Sequence, residues 1–239
     1  LIALTLCLGA VSAASVTLDA AAGASTSFGN QYIFDYDYDN AYAQITYETI
    51  GQDFLGHLTA TGLKPHATYQ IKFEGESSCS DAEAFTTNEQ IGYAGRWWDA
   101  GNRNDAYYEN NKDTSCVTGY VVFDWVTADE HGNVEEDITF TGSYHVLRCG
   151  SGDADLYSLN TAVTPYDTAE LKCEDPQVCS SEDVDGEVER NLNALPEGAY
   201  SALTITLNEE SFHQNCGTWT TAMTGKVSFA VDHDYEPPV

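Results

Sequence analysis

Most of the chain alternates large apolar residues with polar ones, and this period-two pattern restricts it to β-strands. Tyr69, Ile71 and Phe73, for example, alternate with polar neighbours, as in a strand with one buried face. The pattern predicts strands at 31–39, 42–50, 54–61, 68–74, 118–127, 137–147, 200–207 and 218–231. We therefore predict an all-β fold, a jelly-roll or β-sandwich of roughly eight antiparallel strands.

Two stretches depart from this alternation. Residues 81–113 are punctuated by glycines and predict short helices at 81–91 and 104–112. Residues 150–197 are rich in Gly, Asp, Glu and Ser, a composition typical of a surface loop. We interpret both as insertions, the first a short helical excursion, within one sandwich domain.

The N-terminal residues 1–27 are interpreted separately from the domain at 28–239. The first 13 residues resemble a secretory signal remnant, with Val11-Ser12-Ala13 matching a cleavage site. The same residues alternate in size, as an ordered strand would, and the apolar run is too short to span a bilayer. On that second interpretation the segment inserts into the open sheet of a neighbouring copy. The candidate donor-strand residues are Ile2, Leu4, Leu6, Leu8, Val16 and Leu18.

The charge of the chain limits its partners. The chain has 9 Lys+Arg against 38 Asp+Glu, a formal net charge of −29. Nucleic acids and anionic lipids would be repelled, because both are bound chiefly through Lys and Arg. Cations, neutral glycans and other copies of the chain remain as partners.

The cysteines indicate an oxidising compartment. They are scattered, without a CxxC pair, and six lie in the body of the chain, so that three disulfides can form. We expect an extracellular protein, either secreted or at the cell surface, and the nearest pair brackets the short segment CEDPQVC. The disulfide candidates are Cys79, Cys116, Cys149, Cys173, Cys179 and Cys216.

One motif reports on the fold rather than on chemistry. The segment from Leu63 to Tyr69 has the form LxPxxxY. In β-sandwiches such a segment enters a strand, and the tyrosine hydroxyl bonds back to the upstream backbone. We predict a tyrosine corner at Tyr69.

Ligand sites are weakly indicated. Asp183, Asp185 and Glu187 form the best candidate calcium site, although they do not complete an EF-hand pattern. The turn with Asp129 also clusters polar groups. Adjacent Trp97 and Trp98 could stack on a bound glycan; the alternative is that Trp97 fills the core and Trp98 covers it. O-linked sugars on Thr and Ser remain open.

No catalytic motif is present. The chain lacks the GxSxG, Walker and Rossmann patterns, and its six histidines show no HExxH spacing. Acidic pairs occur by chance in a chain with 38 acids. We predict that the protein is not an enzyme and needs no cofactor beyond the candidate calcium.

Four segments carry a resemblance: GLKPHATYQIKFEG, IGYAGRWWD, TGYVVFDWVTADEHGN and SYHVL, within residues 54–147. They resemble segments of uncharacterised secreted β-proteins from environmental microbes. Together with the alternating apolar N-terminus, the chain resembles jelly-roll subunits of extracellular fibrils linked by N-terminal donor strands. The resemblance implies a structural homopolymer and transfers no catalytic residue.

The expected function is that of a structural subunit of an extracellular filament, a helical assembly that polymerises head to tail by donor-strand insertion. The alternative is a secreted calcium-dependent carbohydrate-binding β-sandwich module that uses the Trp97–Trp98 pair and loop acids.

Overall fold

The computed structural model describes residues 12–21, 37–64, 68–78, 85–98, 102–103, 117–142, 145–147, 177–179, 194–210 and 219–237. These residues form one short helix, α1 (Ile91–Ala94), and β-strands. The strands are β1 (Ala13–Ala20), β2 (Tyr42–Glu48), β3 (Ile50–Gly51), β4 (Leu55–Thr61), β5 (Thr68–Ser78), β6 (Arg96–Trp98), β7 (Asn102–Arg103), β8 (Val117–Thr127), β9 (Val134–Thr139), β10 (His145–Leu147), β11 (Gln177–Cys179), β12 (Gly198–Glu210) and β13 (Trp219–Val231).

The sheet is antiparallel and curls into a half-barrel. Its strand order is β7-β6-β8-β5-β12-β13-β1-β2-β4-β9. β3 adds a short parallel pairing to the end of β13, and β10 pairs with β11 in a separate small sheet. The predicted all-β class is therefore confirmed.

Aromatic side chains form a large part of the main hydrophobic core. Phe73 stacks on Phe123 with ring centroids 4.5 Å apart, and Phe229 stacks on Tyr200 at 4.7 Å. Phe54 lies among them, with its ring edge-on to Phe73 and Phe229. The alternating residues of the predicted strands thus supply this core, because every second side chain of a strand points to the same face.

The tyrosine corner predicted from LxPxxxY is present. Tyr69 is fully buried, and its hydroxyl accepts a 2.9 Å hydrogen bond from the backbone N–H of Lys64. The same hydroxyl lies 3.0 Å from that of Tyr38. The bond connects the start of β5 to the backbone of Lys64, as in a tyrosine corner.

The turn between β8 and β9 is organised by Asp129. Its carboxylate accepts hydrogen bonds from the backbone N–H groups of His131, at 2.8 Å, and Asn133, at 2.7 Å. Gly132 adopts a positive φ of 78°, which a glycine tolerates without strain. The polar groups of this turn therefore serve the backbone, and this accounts for their clustering in the sequence.

Two predicted elements differ from the structure. The strand predicted at 137–147 is divided into β9 and β10, because Gly142 between them has a φ of 146°, outside the range of a strand. The helix predicted at 81–91 is replaced, in its described part, by a turn that leads into α1. The helix predicted at 104–112 lies outside the described residues.

Candidate functional site

Strand β1 joins the two halves of the sheet. It pairs with β2 along its length, from Ala13 opposite Glu48 to Leu18 opposite Ala43. With β13 it pairs over two positions only, Asp19 with Thr224 and Ala20 with Met223. β1 thus follows β2 and diverges from β13. We call the gap between the facing edges of β2 and β13, which β1 fills, the β1 groove.

One face of β1 packs into the core. Leu18 is 2% exposed and belongs to the main hydrophobic cluster, whereas Ala14, Val16 and Ala20 on the same face are partly buried against it. Ser15, Thr17 and Asp19 point the other way and are exposed. The alternation noted in the sequence for Val16 and Leu18 therefore corresponds to a strand, and in this structure the strand occupies the chain's own sheet.

Backbone hydrogen bonds fix both ends of β1. At its start, the carbonyl of Ser12 accepts hydrogen bonds from the N–H of Thr49 at 2.8 Å and from its hydroxyl at 2.9 Å. At its end, the N–H of Ala21 donates to the carbonyl of Ala222 at 2.9 Å. Each end of β1 is thus attached to a different half of the sheet.

Beyond the two paired positions, β13 has no ladder partner on the β1 side until β3, among the described residues. A side chain bridges this gap: the hydroxyl of Tyr47, from β2, accepts a 3.2 Å hydrogen bond from the backbone N–H of Ser228. The Ser228 hydroxyl accepts in turn from the N–H of Ala202, which has a positive φ of 50° at a bulge in β12. We call this gap the β13 seam.

A second side chain bridges β8 and β9. A bulge at Phe123 and Asp124 interrupts the pairing of β8 with β5. The Asp124 carboxylate accepts hydrogen bonds from the N–H of Trp125 at 2.8 Å and of Thr139 at 2.9 Å. Burial raises the pKa of Asp124 above its usual 3.8; the two N–H groups oppose this shift, and nearby Glu136 adds to it. The carboxylate therefore connects the bulge of β8 to the end of β9.

A third polar cluster lies where the C-terminal segment meets the start of β12. Asp53 accepts a hydrogen bond from the backbone of Leu195, while its Oδ1 is buried without a partner among the described residues. Burial raises the pKa of Asp53, although the Leu195 bond and the charge of His233 lower it. The His233 ring lies 3.0 Å from the Leu195 carbonyl and 3.5 Å from Glu197. These contacts fasten the C-terminal segment to the chain segment that enters β12.

Nothing in the described residues forms a metal site. No group of three or more His, Cys, Asp or Glu side chains in this part of the chain is arranged to hold an ion. The predicted calcium ligands Asp183, Asp185 and Glu187 lie outside the described residues.

The structure buries one of the two candidate glycan-contact residues. Trp97 is 0% exposed; it packs with Phe85 and Val117 in a second hydrophobic cluster, with the ring of Tyr93 edge-on at 5.0 Å. A buried indole offers no face to a sugar, so the core-packing alternative holds for Trp97. The backbone of Trp98 lies in β6, but its side chain is not described.

Several other predicted residues lie outside the described part of the chain. These are Ile2, Leu4, Leu6 and Leu8 of the donor-strand prediction, and Cys79, Cys116, Cys149, Cys173 and Cys216 of the disulfide prediction. The backbone of Cys179 lies in β11, opposite His145 of β10. The disulfide prediction therefore stays a prediction.

Sequence reasoning missed Gly225, Tyr47 and Asp124. One signal was available for Gly225, because an isolated glycine in a strand pattern often marks a close approach of another chain segment. Neither Tyr47 nor Asp124 carried a local signal for its bond to another strand, since Ser228 and Thr139 are distant from them in sequence.

Comparisons with protein-family models, with curated proteins and with solved structures each found no match. What the chain does must therefore be inferred from its own residues. Among the residues that the structure describes, no helix is long and apolar enough to cross a membrane.

Proposed function

We propose that the chain is a structural subunit of an extracellular filament, and that it polymerises head to tail by inserting its N-terminal strand into the next copy. The observation that supports this function is the placement of β1. A complete strand covers a groove between β2 and β13, and residues 22–36 connect it to the body of the fold. The finer architecture that we propose for the body is a jelly-roll or β-sandwich.

Residues 22–36, which we call the connector, are more than are needed to join β1 to β2 of the same chain. Leu18 lies opposite Ala43, so a hairpin loop of about 2–5 residues would join β1 to β2. Residues 22–36, fully extended, could span about 50 Å. A domain of this size has a diameter of roughly 40 Å. Because the entropic cost of loop closure rises only slowly with length, the same β1 contacts can form within one copy or between two.

Charge and geometry agree with a filament. A strand passed from each copy to the next makes a heterologous contact, which extends into an open polymer unless the rotation closes a ring. The net charge of −29 would keep separate filaments apart in solution. The scattered cysteines support the extracellular location, and the absence of a catalytic motif agrees with a structural role.

Peptide competition tests this function on the full chain. A synthetic peptide of residues 12–21 should fill the groove and cap growing filaments, which shortens them in negative-stain images. The matched control replaces Val16 and Leu18 of the peptide by Asp, which would place charges against the core. A second variant lacks residues 1–22 and should remain monomeric by light scattering.

The outcomes separate the candidate functions. Filaments that form without added glycan or calcium distinguish this function from the carbohydrate-binding alternative. Filaments of normal length from the chain that lacks residues 1–22 would show that N-terminal strand insertion is wrong. A parent chain that forms no filaments under any assembly condition would refute the structural-subunit function as a whole.

A further inference from the structure

We infer that Leu18 and Gly225 set the register of the exchanged strand, such that Leu18 of one copy occupies the space above Gly225 of a second copy. This inference rests on the proposed function and assigns the exchanged segment to Ala13–Ala20. It leaves Ile2, Leu4, Leu6 and Leu8 upstream of the segment that fills the groove.

The two residues fit closely. A Cβ atom added at Gly225 would lie 2.5 Å from Cδ2 of Leu18 and 3.3 Å from Cγ2 of Val16. Carbon atoms of real side chains do not approach to 2.5 Å, so any side chain at position 225 would displace Leu18. The missing side chain of Gly225 thus creates the space that the leucine fills.

Gly225 stands at a position of β13 where a larger apolar residue would be expected. Met223 and Val227, two residues before and after it, are fully buried, so Gly225 occupies a core-facing position of β13. Glycine weakens a strand because it has no side chain to pack and loses more backbone freedom on folding. A larger residue would pack here if β1 did not come so close.

The fit selects one register of β1. A shift by one residue would turn the exposed Thr17 or Asp19 into the core and expose Leu18. A shift by two residues would keep the correct face but would bring Val16 or Ala20 above Gly225, each smaller than leucine. Leu18 is the one residue of β1 that is fully buried, so the other registers lose the largest contact of the strand.

The length of the connector allows a second copy to be the occupant, which is the arrangement that we propose. The groove is built by β2 and β13, whereas β1 is joined to the body through residues 22–36, which are long enough to reach an adjacent copy. The ends of β1 are held by backbone groups of Thr49 and Ala222, which any copy supplies equally. Exchange therefore preserves every contact described here.

A cysteine pair reports which copy donates β1. Ser15 and Thr46 are exposed and lie opposite each other on β1 and β2. In the variant S15C/T46C, oxidised after assembly, exchange should give a ladder of covalent oligomers on a denaturing non-reducing gel. The matched control is T59C/E135C, an exposed opposite pair on β4 and β9 that should cross-link within one chain. The parent chain gives the background of the native cysteines.

Substitutions test the register itself. Gly225→Ala should lower the yield of sedimentable filament at least tenfold, and adding Leu18→Ala to it should restore part of the yield by making space. Lys226→Ala, at the exposed neighbouring position, should leave the yield unchanged. The ladder from S15C/T46C does not depend on how well the Gly225→Ala variant folds.

Failure of this inference is distinguishable from failure of the proposed function. Filaments without a ladder would show that β1 stays in its own copy, which overturns the inference but leaves a filament built on another contact. A ladder with normal yield from Gly225→Ala would overturn the register assignment alone. A parent chain without filaments would overturn both.

Discussion

The phenolic oxygen of Tyr47 accepts a hydrogen bond from the backbone nitrogen of Ser228 at 3.2 Å, across the β13 seam. At this point a side chain takes the place of a ladder bond between neighbouring strands. The ring of Tyr47 is 6% exposed and stacks on Phe54 at 5.7 Å, so the hydroxyl is held in position by the core. The seam therefore depends on one fixed hydroxyl.

Replacing Tyr47 by Phe should weaken the seam without disturbing the core. The ring and its stacking remain, but the N–H of Ser228 loses its acceptor, at a cost of about 1 kcal/mol in the free energy of unfolding. Urea denaturation followed by circular dichroism measures this change. Tyr42→Phe is the matched control, because Tyr42 is 45% exposed. Equal stability of the two variants would show that the seam bond contributes nothing.

The buried carboxyl of Asp124 should give the stability of the fold a defined pH dependence. Burial raises its pKa above 3.8 in the folded protein, so the folded state holds the proton more tightly than the unfolded state. The contribution of Asp124 to stability is therefore present at acid pH and is lost as pH rises from about 3.8 through the raised value.

Carboxyl NMR titration of the folded protein checks this shift directly. The resonance of Asp124 should titrate above 3.8, and Asp124→Asn should remove that component from the pH dependence of unfolding. Glu135→Gln, at an exposed position of β9, serves as the control. A folded-state value at or below 3.8 for Asp124 would contradict the expected desolvation.

Gly92→Ala should destabilise the protein through Trp97. A Cβ atom at position 92 would overlap the indole ring, which is fully buried and cannot move away freely. Overpacking of this kind costs about 1–3 kcal/mol. The double variant with Trp97→Leu should be less destabilised than the sum of the single variants, because the two sites are in contact. Strict additivity in urea denaturation would argue against this packing.

Non-reducing peptide mapping should find three disulfides among the six cysteines of the body. Each could stabilise the fold by about 2–4 kcal/mol. A bond between Cys173 and Cys179 is the expected local one. Free thiols at all six positions in protein isolated under non-reducing conditions would remove the basis for the extracellular location.

Local patterns predicted much of the sheet. The alternation in β5 and β8 predicts which residues lie on one face of each strand. The LxPxxxY segment predicts a contact within a few residues, and the Tyr69 hydroxyl makes that contact. β9 and β10 were predicted as one strand, because the alternation continues across Gly142. The dihedral of that glycine could not be known from the apolar pattern.

The β1 groove could not be predicted, because it depends on pairing between distant segments. The sequence indicates that Val16 and Leu18 belong to a strand, but it does not say that β13 and β2 lie on either side of it. Trp97 illustrates the same limit: its burial follows from Gly92 and Phe85, which approach it from other elements. Periodicity gives the face of a residue and not the identity of its neighbours.

The contact between Leu18 and Gly225 joins two strands that are synthesised far apart in time. The two positions are separated by 225 − 18 = 207 residues, so β1 leaves the ribosome long before the strand that completes its groove. At about 5–20 residues per second, the interval is roughly 10–40 s. Throughout this time Leu18 has no completed site in its own chain, because β13 has not yet been made. The pairing of β1 with β13 is therefore among the last contacts that a newly made chain can form, and the apolar face of β1 stays uncovered on that side until then.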